Sequence, residues 1–325
     1  MHLPKPLREA IEEQLTGHSL NHLAKAAEEL SETYRHRSPM SERFASSAER
    51  RLAYLAVRMP ATYAAAQAVL KMVCAQMPQL RVSSLLDLGA GPGTTAWAAA
   101  EIFPELQRVT QLEYDAEMID LGKSLTEHSE NRALKSAVWQ RSDFRTVTKF
   151  PAHDLVMCGY TLNEIDEAGA RRMLKAAWQS AEKVLVLVEP GTMAGFSLIR
   201  KLRDELISMS AHLVAPCPQA NACPMQEPDW CHFAQRFERS ALHRRLKNAA
   251  LSYEDEKFSY LVAAKPSAGA AQPVTARVLR HPQIQSGFIQ LQLCTRNGLS
   301  KIAVTRKDKE AWKRARKTDW GDAWE

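Results

Sequence analysis

The segment Asp87-Leu88-Gly89-Ala90-Gly91-Pro92-Gly93 constrains the fold more than any other in the chain. It follows a short apolar run, Ser84 to Leu88, and precedes a helix-compatible stretch, Thr94 to Phe103. A glycine turn between a buried strand and a helix lets backbone approach a bound group closely and aims helix N–H groups at it. A dinucleotide fingerprint starting at Gly89 requires its third glycine at position 94, and that residue is Thr94. This argues against a nicotinamide-dependent enzyme. Beyond the loop, apolar runs (Val109 to Glu113, Ala137 to Gln140, Asp154 to Cys158, Val184 to Val188) alternate with helical stretches (Ala116 to Glu127, Ala168 to Ala181). The alternation predicts βαβ units and a mostly parallel sheet, to which Phe258 to Ala263 returns as a late strand.

The rest of the chain divides around this core. Residues 1–78 read as helical, with apolar positions three and four apart in Ser19 to Leu30 and Ser41 to Met59. Pro60 predicts a kink or a new helix start, and Pro78 marks the passage into the core, residues 79–266. An insertion at about 194–250 begins helically (Ala194 to Leu213) and continues through an irregular Pro- and Cys-rich stretch, Pro216 to Pro228. After a small-residue linker, Ser267 to Gln272, residues 273–325 carry three short alternating runs and a basic helix, Asp308 to Lys317. The runs, Ala276 to Arg280, Phe288 to Cys294 and Lys301 to Thr305, predict an antiparallel meander. No apolar run approaches the ~20 residues of a membrane helix, so no membrane partner is expected. The first fifteen residues mix Lys5 and Arg8 with Glu9, Glu12 and Glu13, unlike a secretory signal or an organelle presequence. The expectation is therefore a cytoplasmic protein, monomeric when free.

The glycine pattern, with Asp87 two residues upstream, resembles motif I of the class I methyltransferases, whose loop wraps the amino-acid end of S-adenosylmethionine. The implied fold is α/β: a Rossmann-like class I core with an N-terminal helical region, a Cys-rich insertion and a small C-terminal antiparallel β extension. Asp87, Gly89, Ala90, Gly91 and Gly93 form the candidate cofactor loop. Glu113, at the end of the second strand, suits the acid that accepts both ribose hydroxyls. Asp143, in Ser142-Asp143-Phe144, matches the usual place of the adenine-contacting acid. Catalytic residues are not identified. The loop Cys158 to Glu164 stands where substrates of this fold sit, yet it lacks the Asp/Asn-Pro-Pro-Tyr/Phe motif of amino-methyltransferases. Cys158 reads as a core residue rather than a nucleophile, and Asn163 as either an amine-orienting group or a helix cap.

Cys217, Cys223, Cys231 and Cys294 form the pattern C-x5-C-x7-C-x62-C, three of them in the Pro-rich insertion. Thiolates bind soft metal centres, and proline keeps such a loop irregular so that sulfurs can converge. The absence of short C-x2-C knuckles tilts the choice towards an iron–sulfur cluster, with zinc as the alternative. His232 is a further potential ligand, though packing is its more ordinary role. Formal charge is 43 basic minus 37 acidic residues, or +6, but it is clustered. Arg236, Arg239, Arg244, Arg245 and Lys247 form one run; Lys313, Arg314, Arg316 and Lys317 close another. Both suit RNA phosphates, or equally a solvated face.

Taken together, these residues resemble the small-ribosomal-subunit assembly family of methyltransferase-like proteins, which has mitochondrial and bacterial members. The resemblance runs through Tyr54 to Tyr63, the glycine loop, Val214 to Cys217, Asp229 to Phe233, Tyr253 to Tyr260 and Trp320-Gly321-Asp322. It implies a 4Fe-4S cluster on Cys217, Cys223, Cys231 and Cys294, and docking on small-subunit rRNA, with ribosomal proteins as further partners. With no presequence pattern in the first fifteen residues, it makes the expected cytoplasmic protein a bacterial-type member. Arg58 and the Tyr63 region are expected to help cover the cofactor pocket. Three functions compete: an rRNA methyltransferase and assembly factor; a non-catalytic assembly factor using the fold as a platform; and a small-molecule methyltransferase with a four-cysteine zinc site.

Overall fold

The computed structural model describes residues 1–36, 47–143, 146–272 and 274–325. Ser41 to Ser46, expected to be helical, and Phe144 lie outside the described residues.

The central sheet has eight strands. These are β1 Ser84–Leu88, β2 Arg108–Glu113, β3 Val138–Arg141, β4 His153–Gly159, β5 Ala181–Pro190, β6 His212–Ala215, β7 Phe233–Glu238 and β8 Tyr253–Ala264. Their order is β3-β2-β1-β4-β5-β8-β6, with β7 also paired to β8. The first five run parallel, and β8 lies antiparallel to β5, with Val186 opposite Val262. This is the class I methyltransferase arrangement. The order reverses between β1 and β4, so the loops after these strands open a crevice at their carboxyl ends. Every residue of β1 is buried, as befits a strand covered on both faces.

One sheet face is covered by the N-terminal helices. Leu7, Leu23, Leu55 and Leu70 share a single buried cluster with Leu85, Val109 and Val186. The helix Ala48–Ala53 passes through a π-helical turn, Tyr54–Arg58, directly into the helix Met59–Gln76, whose first turn holds Pro60. The expected break at Pro60 thus takes the form of one widened turn. On the other face Leu86, Leu88, Val156 and Leu187 pack with Leu174 and Leu202 from the helices Glu167–Ser180 and Met193–Ser208.

Two strands of the insertion differ from expectation. The helix stops at Ser208, Ser210 adopts φ 59°, and His212–Ala215 becomes β6 instead of continuing as helix. The segment Phe233–Glu238, which reads as the start of a basic run, is β7: Phe233 and Phe237 are buried while Arg236 and Glu238 face solvent. β8 is long enough to hold both, pairing β7 along its first half and β6 along its last residues.

The C-terminal sheet has β9 Ala276–Val278, β10 Gln283–Ile284, β11 Phe288–Thr295, β12 Gly298–Thr305 and β13 Ala323–Trp324, all antiparallel. β11 alternates cleanly, burying Ile289, Leu291 and Leu293 against Val278, Val304, Ala315 and Trp324. Among the described residues no helix is long and apolar enough to cross a membrane.

Candidate functional site

The loop after β1 is shaped by glycine. Gly89, Gly91 and Gly93 have φ of 73°, 53° and 85°, in the region that L side chains avoid. At Gly89 a second constraint applies, because a Cβ there would sit 2.3 Å from Thr161 Cγ2. The N–H groups of Gly89 and Ala90 both donate to Leu112 O, at 2.9 and 3.0 Å, fastening the loop to the end of β2. Glu113 completes the turn: Oε2 accepts from Gly91 N at 2.7 Å, and Oε1 accepts from the backbone N–H groups of Tyr114 and Asp115. The carboxylate keeps further lone pairs for a ligand, so it is both a loop brace and a candidate ribose acceptor. Asp143 stands two residues beyond β3, where its carbonyl accepts from the N–H and hydroxyl of Thr146.

Asp87 is 0% exposed and neither carboxylate oxygen has a hydrogen-bond partner among the described residues. Burial pushes it up to about 7, against the pull of the Thr95 hydroxyl and with added repulsion from Glu113. The Oγ1 atoms of Thr94 and Thr95 are likewise buried without partners. Thr94 and Thr95 border a cavity of ≈ 20 Å³ between Gly89, Ala90, Gly159, Tyr160 and Val188, covered by Tyr54, Thr62 and Ala66. Unsatisfied buried acceptors around a glycine cradle are what a polar, cationic ligand would repair. The donor set therefore fits the amino-acid end of S-adenosylmethionine.

The cover differs from expectation in its residues. Tyr63 points away, its hydroxyl donating to Glu101, whereas Tyr54 on the π turn reaches the cavity. Arg58 stands one layer behind, bonded to both oxygens of Glu256 at 3.2 Å. Tyr160, at φ 60°, donates to the same carboxylate at 3.0 Å. Two further acids were not anticipated. Glu189, at the end of β5, accepts from Leu162 N at 2.9 Å and is pushed up to about 8 by burial. Asn163 also meets Glu189, so it serves this acid rather than capping a helix. Glu164 reaches water, yet crowding by protein, with Glu113 and Glu189 adding repulsion, pushes it up to about 8. Cys158 is 1% exposed and burial holds its thiol well above the ordinary range, which removes it as a nucleophile.

The insertion and the C-terminal sheet meet at a second cavity, of ≈ 40 Å³, whose walls include Cys217, Cys223, Cys231 and Cys294 together. Phe196, Met225 and Leu279 supply its apolar packing. Among the described residues no three His, Cys, Asp or Glu side chains are close enough to hold a metal ion as they stand. The thiols thus surround a space rather than a point. Burial raises Cys217 and Cys231, and raises Cys294 to about 12, while Arg203 and Arg277 pull Cys217 and Cys294 down. The soft donor set fits a thiolate-ligated metal centre. His232 packs instead, stacked on Trp230 and edge-on to Trp320, both at 4.9 Å, with Nδ1 3.2 Å from Trp230 O.

The two buried arginines among the three that line this cavity, Arg203 and Arg277, were missed. Arg277 sits in an otherwise apolar run, Ala276-Arg277-Val278-Leu279, and that contrast is the one signal the sequence held.

The basic residues fall into two groups. Arg236 pairs with Asp255 at 2.8 Å and lies over the Tyr253 ring; Arg239 and Lys247 both bond to Glu254. Arg244 and Arg245 are exposed on the helix Ala241–Leu246. On the helix Lys309–Ala315 and just after it, Lys313, Arg314, Arg316 and Lys317 are exposed, with Arg314 over the Trp324 ring at 4.4 Å.

Comparison with known proteins adds relatives to this geometry. The human mitochondrial ribosome assembly protein METTL17 is 27% identical over 290 residues, covering 83% of this chain and 61% of that protein. The mitochondrial Rsm22-cox11 tandem protein 2 of Schizosaccharomyces pombe is 26% identical over 327 residues, covering 83% of this chain and 42% of that protein. The chain thus spans between two fifths and about three fifths of the curated relatives it matches. Among solved structures, the Synechocystis magnesium protoporphyrin IX methyltransferase with bound SAH has a TM-score of 0.41 at 12% identity, covering 63% of this chain and 83% of that one. A precorrin-6y methyltransferase from Geobacter metallireducens has a TM-score of 0.39 at 15% identity, covering 61% of this chain and 86% of that one. The strand order, rather than these distant likenesses, defines the fold. The expected bacterial-type cytoplasmic location is corrected by the curated relatives, which are mitochondrial by name. The family described as mitochondrial small ribosomal subunit Rsm22 matches residues 48–325, most of the molecule, and the chain belongs to that family.

Proposed function

We propose that this chain binds S-adenosylmethionine at the glycine loop, holds a 4Fe-4S cluster at its cysteine cavity, and docks on small-subunit rRNA during ribosome assembly. The observation that carries the reading is the convergence of Cys217, Cys223, Cys231 and Cys294 on one cavity within a methyltransferase fold. Kinship with a human protein named for ribosome assembly supports the biological setting.

In this reading Asp87 and the loop Gly89 to Gly93 hold the amino-acid end of the cofactor, Glu113 its ribose hydroxyls and Asp143 its adenine. When bound, the cofactor supplies a methyl group on an activated sulfur. Tyr54, Thr62 and Ala66 exclude water from that end of the pocket. The cysteine thiolates hold the cluster, and with it fix the insertion against the C-terminal sheet. Arg244, Arg245, Lys313, Arg314, Arg316 and Lys317 offer exposed charge to RNA phosphates. Arg236, Arg239 and Lys247 belong to the same basic region.

One observation favours a platform without turnover. The end of β4 and the loop after it offer a buried Cys158 and a tyrosine already bonded to Glu256, and no recognised methyl-acceptor motif. Anaerobic purification tests the cluster: a brown protein with broad absorbance near ~400 nm is expected, and a colourless one with stoichiometric zinc refutes it. Calorimetric titration with S-adenosylmethionine tests the pocket, with no heat of binding as the refuting result. Mapping rRNA methylation in cells carrying Gly89→Ala separates the enzyme from the platform, since only the enzyme reading predicts a lost methyl group.

A further inference from the structure

The cysteine cavity carries a buried positive charge, on Arg277, that no carboxylate among the described residues neutralises. Arg277 is 1% exposed and lines the cavity with the thiols. In the sheet it stands directly opposite Cys294, as the β9 partner of that β11 residue. Its Nε donates to Pro216 O at 3.1 Å, next to Cys217, and its Nη1 donates to Gly321 O at 3.0 Å and contacts Met72 Sδ. Nη2 is buried with no acceptor, and no carboxylate among the described residues pairs with this guanidinium. Arg203 faces the same cavity from the helix Met193–Ser208 and is 2% exposed. Its Nη2 donates to Gln219 O and Asn221 O in the cysteine loop, its Nη1 to the exposed Asp204, and its Nε has no partner.

A buried cation held only by neutral carbonyls is costly, because they return less than the water it lost. Such an arrangement persists where an anion completes it. Four thiolates around a zinc ion or around an oxidised 4Fe-4S core leave about two net negative charges, against which the unpaired Arg277 and the Asp204-paired Arg203 set buried positive charge. We propose that Arg277 and Arg203 are the counter-charges of a dianionic metal–thiolate centre, Arg277 being the principal one. Arg277 acts as a positioning residue: it touches no metal, but it holds the Pro216–Cys217 and Cys294 walls at the separation the centre needs. Because its partners lie in the helix Met59–Gln76, the cysteine loop, β11 and the C-terminal turn, it also couples docking of the C-terminal sheet to loading of the centre.

The inference rests on the metal reading of the four cysteines, and its test separates the two. The full chain is loaded anaerobically with ferrous iron and sulfide, or in parallel with zinc alone, as wild type, R277Q, R277K and R203Q. Metal per chain, loss to a chelator and, for iron, the one-electron potential with dithionite as reductant are measured. Helical circular dichroism and S-adenosylmethionine affinity report whether the fold survives. Roughly 10- to 100-fold faster metal loss is expected for R277Q, a smaller acceleration for R203Q, and partial rescue by R277K. The potential of R277Q shifts downward, since the added electron is no longer offset by a nearby positive charge. Retention and potential equal to wild type in R277Q overturn the inference while leaving the metal centre standing. Equal losses in R277K and R277Q also overturn it, because a hydrogen-bonding brace rather than charge would then be at work. A wild-type chain that takes up neither iron with sulfide nor zinc overturns the metal reading itself.

Discussion

The glycine-loop pocket and the cysteine cavity bury charge of opposite sign. Around the first stand Asp87, Glu113 and Glu189, and Arg58, one layer behind, is already committed to Glu256. Around the second stand Arg203 and Arg277, the latter with no described carboxylate partner. A protein does not leave buried charge unbalanced without a reason, since desolvation is repaid only by a partner. S-adenosylmethionine brings a sulfonium and an ammonium to the acidic pocket; a metal–thiolate centre brings negative charge to the basic one. The contrast teaches that each pocket is defined by the charge it lacks, and each half can be broken separately.

The largest effect is expected at the cysteine cavity. Cys231→Ser removes one wall thiol, and bound metal should fall to background in elemental analysis. Since a structural metal centre can contribute on the order of 10 kcal/mol to folding, the C-terminal sheet should also become sensitive to limited proteolysis. Full metal content with an unchanged cleavage pattern would remove this side of the comparison. Next in size is the cradle of the acidic pocket. Gly89→Ala meets both an unfavourable φ of 73° and the Thr161 side chain at 2.3 Å, so S-adenosylmethionine binding should be lost by calorimetry. Gly91→Ala has the same backbone problem, φ 53°, but nothing within 4 Å of the added carbon. It should cost only about 1–2 kcal/mol of stability and weaken binding modestly. Equal behaviour of the two variants would show that space at the loop is not what admits the cofactor.

The acidic pocket also carries a pH signature. Burial raises Asp87 from 3.8 to about 7 and Glu189 from 4.5 to about 8, so both bind protons more tightly folded than unfolded. A raised carboxylate contributes stability below its unfolded value and loses it as pH climbs towards the folded one. The cofactor-free chain should therefore weaken between pH ~4 and ~8. Asp87→Asn should remove its own share of that loss, stabilising the free chain at pH 8 by up to about 4 kcal/mol and not at pH 4. The same change should weaken S-adenosylmethionine binding, because the buried charge is what the cation completes. A thermal-melt series across this range reads the first effect and calorimetry the second. A variant that neither gains stability nor loses affinity would show that Asp87 is a turn residue only.

The two pockets were unequally legible in the sequence. Asp87, the glycines and Glu113 lie in or beside one strand–turn–helix segment, so spacing alone assembles them. The parallel βαβ units followed from the alternation of apolar runs and helices for the same local reason. The four cysteines stood out by residue type, but their convergence depends on β6, β7 and β8 folding the insertion back, and β6 and β7 were not foreseen. His212–Ala215 continues a helical stretch without a break residue, and the charges of Arg236 and Glu238 mask the two-residue alternation of Phe233 and Phe237. Arg203 was invisible as a site residue, and Arg277 nearly so despite its apolar neighbours, because a buried arginine looks like a surface one until its strand or helix is placed. Tyr54 was overlooked because the resemblance pointed to the Tyr63 region as a whole, whereas it is Tyr54, on the π turn, that lines the cavity.

The smallest effect concerns the exterior, where the comparison between buried and exposed charge continues. Arg239 and Lys247 share Glu254, which with His243 nearby holds that carboxyl far below the usual carboxylate range. Arg244 and Lys313 are exposed, and no ion pair with either is found among the described residues. If RNA docks on these surfaces, Arg244→Glu and Lys313→Glu should each weaken binding to small-subunit rRNA a few-fold. Each should also lower the slope of log affinity against log salt by about 1, with thermal stability unchanged. Arg239→Ala should do the reverse, lowering the melting temperature while leaving the salt slope near wild type, because its charge is spent inside the fold. Filter binding across a salt series distinguishes the two patterns. Identical slopes in all three variants would mean that neither basic surface meets phosphate, and that RNA, if bound, is held elsewhere on the molecule.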